Sequence, residues 1–205
     1  MVSVSQVSGQ NTLRRIQRIQ AITIAWMSVE AGVSLSAAWM ARSPALLAFG
    51  GDSAVELLSA TVVLWRFRAP VAPGNAERSA SRIAGALLVA LAGYVTMVSL
   101  MSLLGHNRPG PTDLGIVILI GAAMVMPWLA REKRKLSAAT SSAALRADAA
   151  QSGLCAYLSL IALVGLTVNA IWHMAWADPV AALAVAPLIL WEGKETMRGK
   201  ACGCG

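Results

Sequence analysis

Residues 43–66 read SPALLAFGGDSAVELLSATVVLWR, a run long and apolar enough to cross a bilayer as one helix, with Asp52 and Glu56 near its middle. Residues four apart on a helix are offset by roughly 40°, so both carboxyls leave one face, one turn apart. No Lys or Arg lies between Ser43 and Trp65 to neutralise them. An ionisable group at the bilayer centre costs about 2.5–3.5 kcal/mol on insertion scales, so two acids on one face imply a task. Binding a cation is the simplest task that offsets such a cost.

The bulk composition places the run in a membrane protein. Of 205 residues, 57% are hydrophobic and 13% charged, about half the charged fraction of a soluble domain. Apolar residues fall in blocks of about 20, the length of a transmembrane helix. The net charge of +7 raises the question of nucleic acid, but the basic residues sit in short loops, where they report topology. No nucleic-acid partner is expected; the expected surroundings are a lipid bilayer. Three cysteines, Cys155 inside a helix and Cys202 and Cys204 at the tail, make no disulfide framework. The polar start, MVSVSQVSGQNT, and the length of the first apolar run argue against a cleaved signal peptide.

Working outward, the sequence predicts an all-α bundle of six transmembrane helices. A basic leader at 1–18 ends in Arg14, Arg15 and Arg18, and spans follow at about 19–41, 45–65, 83–104, 114–130, 143–172 and 179–191. The membrane domain thus covers 19–192, and 193–205 form a short tail with a Cys-Gly-Cys sequence. The linker holding Arg66, Arg68, Pro70, Pro73, Gly74, Arg78 and Arg82 reads as a helix break, Pro127 as an interruption of span four, and REKRK at 131–135 as a basic exit. Asp178 before Pro179 reads as the N-cap of span six. Every Lys and Arg except Arg42 and Arg108 lies in the leader, the 66–82 and 131–146 loops, or the tail. With six spans those segments share one face, which the excess of basic charge assigns to the cytoplasm, with both termini inside. The tryptophans at 26, 39, 65, 128, 172, 176 and 191 are expected mainly at membrane interfaces.

Depth supplies a second inference. At 1.5 Å per residue, Glu30 lies roughly 16–18 Å into span one, and Asp52, Glu56, Gln151 and Cys155 lie at similar depth in spans two and five. Three helices therefore bring polar groups near the midplane. In ADAAQSGLCAYLS, Asp148, Ser152 and Cys155 share one stripe with Gln151 beside it. Gln151 and Cys155 repeat the four-residue spacing of Asp52 and Glu56. Two such helices packed face to face would offer four donors around one point.

That layout resembles the intramembrane zinc site of the cation diffusion facilitator, or cation efflux, family. Its second-helix pattern D-x-x-x-D is matched here by Asp52-Ser53-Ala54-Val55-Glu56. Its fifth-helix pattern D-x-x-H-x-x-x-D is matched by Asp148, Gln151 and Cys155. The resemblance covers about residues 15–200 and points to a short bacterial branch without the family's cytoplasmic dimerising domain. Gln151 and Cys155 stand where the family has His and Asp, so the ion preference does not carry over. The resemblance implies a divalent-cation exporter in the cytoplasmic membrane of a bacterium, exchanging metal for protons. Asp52, Glu56 and a Cys155 thiolate suit Zn²⁺ first, with Co²⁺, Fe²⁺ or Mn²⁺ as alternatives, the metal being substrate and not cofactor. Glu30 and Asp148 are read as accessory polar groups or a proton relay, Cys202 and Cys204 as a weak thiol pair, and a homodimer stays open. No catalysis is expected: the two histidines, His106 and His173, lie toward the outer face, and no nucleophile has a nearby base. The rival is a metal sensor or an accessory subunit that transports nothing.

Overall fold

A computed structural model describes residues 3–68, 75–106, 108–141 and 143–198. Six helices follow one another: α1 (Ser3–Ala41), α2 (Pro44–Arg68), α3 (Asn75–Leu103), α4 (Asp113–Thr140), α5 (Ala143–Trp172) and α6 (Ala177–Met197), with no strand among the described residues. Five of them, α1 to α5, contain stretches long and apolar enough to cross a membrane. The sixth has 21 residues and carries Asp178, Glu192, Lys194 and Glu195. The all-helical expectation stands, and the fifth helix has the bounds expected of it.

The other helices run further than the apolar blocks. The first begins at Ser3, inside the segment read as a leader. The second runs on to Arg68 and the third starts at Asn75, so most of the basic linker is helix. The fourth continues through Pro127 and REKRK to Thr140. Proline at 127 removes one backbone donor without ending the helix, and charged residues favour helix where a turn or two clears the apolar layer. Hydropathy marks where a helix meets lipid, not where its hydrogen bonds stop. Among the described residues four helix ends use a left-handed residue: Arg42 (φ 51°) after α1, Gly105 (φ 85°) after α3, Ser141 (φ 49°) after α4 and His173 (φ 53°) after α5.

The contacts define an alternating, up-and-down bundle. The main packing pairs are α1 with α2, α3 with α6 and α4 with α5, and α2 touches α1, α3, α5 and α6. At one end, Arg15 of α1 meets Glu132 of α4 at 2.6 Å. At the opposite end, Gly110 N–H bonds the Ala41 carbonyl (2.8 Å), and Asn169 Nδ2 bonds the Pro109 carbonyl (3.2 Å). Small residues bring helices close. A Cβ on Gly85 of α3 would stand 2.6 Å from the Gly193 carbonyl oxygen of α6, and one on Gly165 of α5 would stand 2.4 Å from Ala181 Cβ.

Asp178 does not cap its own helix. The residue before α6 is Trp176, with no side-chain capping bond. Buried Asp178 instead reaches across to α2, where its Oδ1 accepts from Ala45 N–H (3.0 Å) and its Oδ2 from Ser43 Oγ (2.5 Å). It therefore satisfies the N-terminus of α2 from another helix, a pairing that no local sequence rule contains.

Candidate metal centre

The acids of α2 lie where neighbouring helices can approach them. Gly50 and Gly51 precede Asp52, and a Cβ on Gly50 would stand 2.9 Å from Ser34 Cβ of α1. A Cβ on Gly51 would stand 2.6 Å from Leu91 Cδ1 of α3. The FGG sequence is thus what lets α1 and α3 close on α2 beside the acids. Asp52, Ser53 and Glu56 are fully buried, as are Glu30 of α1 and Cys155 and Ser152 of α5.

Glu30 is held by three donors. Ser53 Oγ donates to its Oε1 at 2.7 Å, the Trp26 indole N–H to its Oε2, and Cys155 Sγ lies 3.5 Å from Oε1. Helices α1, α2 and α5 therefore meet at one carboxylate. Six of the seven tryptophans are exposed, led by Trp39 at 87%, and suit the interfacial reading. Trp26 departs from it, since its half-buried ring serves Glu30.

A second network joins α1, α2, α4 and α5. Lys133 of α4, fully buried, places Nζ 3.0 Å from Asp148 Oδ2, 2.8 Å from Ser152 Oγ and 3.7 Å from Glu56 Oε1. Ser152 Oγ in turn donates to Glu56 Oε1 at 2.5 Å, and Gln20 Nε2 of α1 donates to Asp148 Oδ2 at 2.7 Å. The acids of α2 lack a basic neighbour in their own run, but α4 supplies one through space. Asp148 pairs with Lys133, not with Arg146 or Lys135, the nearer candidates on sequence grounds.

Asp52 is the exception. Both its carboxylate oxygens are buried without a hydrogen bond of good geometry, and its polar neighbours are the Cys155 thiol and the Glu192 carboxyl. Around it lie the carboxyls of Glu56 and Glu30, the Cys155 thiol and, from α6, the buried Glu192, all near enough to interact with it electrostatically. A carboxylate buried without well-formed hydrogen bonds carries a desolvation cost that a cation would remove.

Of the residues singled out in the sequence, Asp52, Glu56, Cys155 and Glu30 come together, and Asp148 joins through Lys133. Gln151 is half-buried, one position from Ser152, and Ser152 is the residue that reaches the carboxylates. Cys202 and Cys204 lie outside the described residues. Among the described residues no three His, Cys, Asp or Glu side chains converge at metal-binding distance. Glu56 is held by Ser152 and Glu30 by Ser53 and Trp26, so the donors are gathered but not closed around one point.

Lys133, Ser152, Ser53, Trp26, Gln20 and Glu192 were not singled out as site residues. For Lys133 a signal existed. The buried face of α4 runs Gly115, Ile118, Leu119, Ala122, Met126, Leu129, Ala130, Lys133, Leu136 and Ser137, so Lys133 continues an apolar stripe at helical spacing. Glu192 was hidden by a helix that outlasts its continuous apolar run.

The profile of the cation efflux transmembrane domain matches residues 21–198. The chain belongs to the cation efflux family. It is 28% identical over 182 residues to the uncharacterized transporter sll1263 of Synechocystis sp. (strain ATCC 27184 / PCC 6803 / Kazusa), covering 82% of this chain and 57% of that protein. It is 26% identical over 177 residues to the manganese efflux system protein MneS of Bacillus subtilis (strain 168), covering 82% of this chain and 61% of that protein. The chain therefore spans about three fifths of the length of these curated relatives.

Proposed function

We propose that this chain exports a divalent transition-metal cation through the buried cluster of Asp52, Glu56, Glu30 and Cys155, in exchange for protons. The observation that carries the reading is Asp52: a fully buried carboxylate without a hydrogen bond of good geometry, beside Glu56, Glu30, Glu192 and the Cys155 thiol. Membership of the cation efflux family supports the same reading. A dication binding there must displace protons from carboxylates or thiol, so metal and protons compete for one set of atoms. Alternate exposure of that set to the two faces of the membrane would move metal one way and protons the other.

Six spans with both termini in the cytoplasm complete this reading. Helix α6 would then cross the membrane, with Glu192 near its inner end. The excess of Lys and Arg at the α1 start, the 66–82 and 131–146 segments and the α6 end supports that orientation. The membrane is that of a bacterial cell. Zn²⁺ is the favoured ion, because Cys155 offers the soft donor that zinc takes and harder ions do not. Mn²⁺ is the second reading, favoured by the predominance of carboxylate oxygens and by the name of the Bacillus relative.

The test is uptake into inside-out vesicles holding the purified protein, under a proton gradient, with Zn²⁺, Mn²⁺, Co²⁺ and Fe²⁺ supplied singly. Wild type should accumulate one or more of them, and Asp52→Asn should abolish that flux while inserting normally. Equal flux for both proteins, or no flux of any ion, would overturn transport through this site and leave a sensor or accessory subunit.

A further inference from the structure

Lys133 is the only Lys or Arg fully buried among the described residues. Its three neighbours in the basic run, Arg131, Arg134 and Lys135, are all exposed. Its ammonium donates to Ser152 Oγ (2.8 Å) and is paired with Asp148 (3.0 Å), and the Ser152 hydroxyl passes the contact on to Glu56 (2.5 Å). The direct distance to Glu56, 3.7 Å, is too long for a hydrogen bond but is still an ion pair. Glu56 Oε2, Asp148 Oδ1 and both oxygens of Asp52 make no hydrogen bond of good geometry. One tethered ammonium thus faces a surplus of acceptor oxygens, on the side of the cluster toward the 131–135 basic run.

We infer that Lys133 is a built-in competitor of the transported cation: its ammonium holds Glu56, through Ser152, and an arriving dication must take Glu56 from it. The inference rests on the carboxylate cluster being the metal site. Two physical arguments support it. A transport site must bind strongly enough to load and weakly enough to empty, and several carboxylates with a thiol in a dry interior would otherwise hold Zn²⁺ too long. A lysine suits this task better than an arginine, being a compact charge on a flexible stem that swings away without breaking a planar, bidentate geometry. A plain counter-ion that only makes Asp148 tolerable to bury would have no reason to be wired to Glu56 as well.

The two roles predict opposite signs. If Lys133 only supports the fold, removing it leaves metal affinity unchanged or lowers it. If it competes, removing it frees Glu56 and tightens binding. Lys133→Met alone would strand Asp148, so the informative variant is Lys133→Met with Asp148→Asn, which removes both charges of the pair and keeps their volumes. Affinity is measured on the full chain in detergent with Zn²⁺ alone, by competition against a chromophoric chelator, and then with Mn²⁺ alone. The double variant should lower the Kd of the bound ion about tenfold or more, equivalent to losing a single screened charge contact. In vesicles it should saturate at lower metal concentration and turn over more slowly.

Ser152→Ala is the second variant, cutting the link between ammonium and Glu56 with the loss of a single oxygen. It should tighten binding several-fold, and it decides the matter if the double variant fails to fold. Unchanged or weaker affinity in folded variants, with binding still abolished by Asp52→Asn, would overturn the competitor role and leave the metal site standing. No binding of either ion by wild type would overturn the site itself and this inference with it.

Discussion

Replacing Asp178 by Ala tests the architecture without touching the acids of the cluster. Asp178 accepts two hydrogen bonds from the start of α2, from Ser43 Oγ at 2.5 Å and Ala45 N–H at 3.0 Å, and the Leu46 N–H leans on Ser43 Oγ at 3.1 Å. Alanine leaves a buried N–H and a buried hydroxyl without their acceptor. Each such group costs about 1–3 kcal/mol, and the lost anion at a helix N-terminus adds about 0.3–1 kcal/mol. The sum is about 2–5 kcal/mol, allowing for partial re-pairing of the hydroxyl. At about 2–4 °C per kcal/mol for a chain of this size, Tm should fall by roughly 4–20 °C. Asp178→Asn should cost less than half as much, because its carbonyl oxygen still serves Ala45 while the hydroxyl turns elsewhere. Asp113→Ala is the control: this acid is exposed in the first turn of α4, so its loss should cost about 0.5 kcal/mol. Thermal unfolding of the detergent-solubilised protein, followed by circular dichroism, reads all three. A Tm for Asp178→Ala within 2 °C of wild type, on the scale just given, would refute the claim that this carboxylate ties α6 to α2.

Gly85→Ala places a methyl 2.6 Å from the Gly193 carbonyl oxygen, so α3 and α6 must separate; a loss of about 1–3 kcal/mol is expected in the same unfolding assay. Arg15→Ala removes an ion pair whose arginine is 58% exposed, and it should change stability by less than about 1 kcal/mol. Cys155→Ser replaces the soft donor by a hard one, so the ratio of Zn²⁺ to Mn²⁺ affinity should fall about tenfold or more in chelator competition. Trp26→Phe keeps an aromatic ring but removes the donor to Glu30, so transport should weaken while expression and Tm stay near wild type, as vesicle uptake and circular dichroism would show.

Part of the candidate site's placement was legible because it is one-dimensional. The four-residue spacing of Asp52 and Glu56 fixes a shared face, and counting 1.5 Å steps along each helix brought Glu30 and Cys155 to the same depth. The 3.5 Å contact between Cys155 and Glu30 agrees with that reckoning. Legibility failed where rotation about a helix axis decided. Gln151 and Ser152 differ by one residue, about 100° of rotation, and only packing of α5 against α2 and α4 chose Ser152 to meet Glu56. Helix ends failed for a different reason: α6 keeps its backbone hydrogen bonds past the apolar run that ends at Trp191, which carries Glu192 into the bundle.

The sequence by itself determined the class of molecule: apolar blocks of helix length, basic residues gathered at the ends of those blocks, and acids within them. These follow from local composition and periodicity, which a bilayer reads directly. Only the tertiary structure decided which charges meet. Lys133 and Glu56 are 77 positions apart, and Asp178 and Ser43 are 135 apart. A carboxylate buried in a dry interior is stabilised by whatever donor the neighbouring helix turns toward it, and that direction is set by side-chain packing between helices. No spacing along one chain contains it.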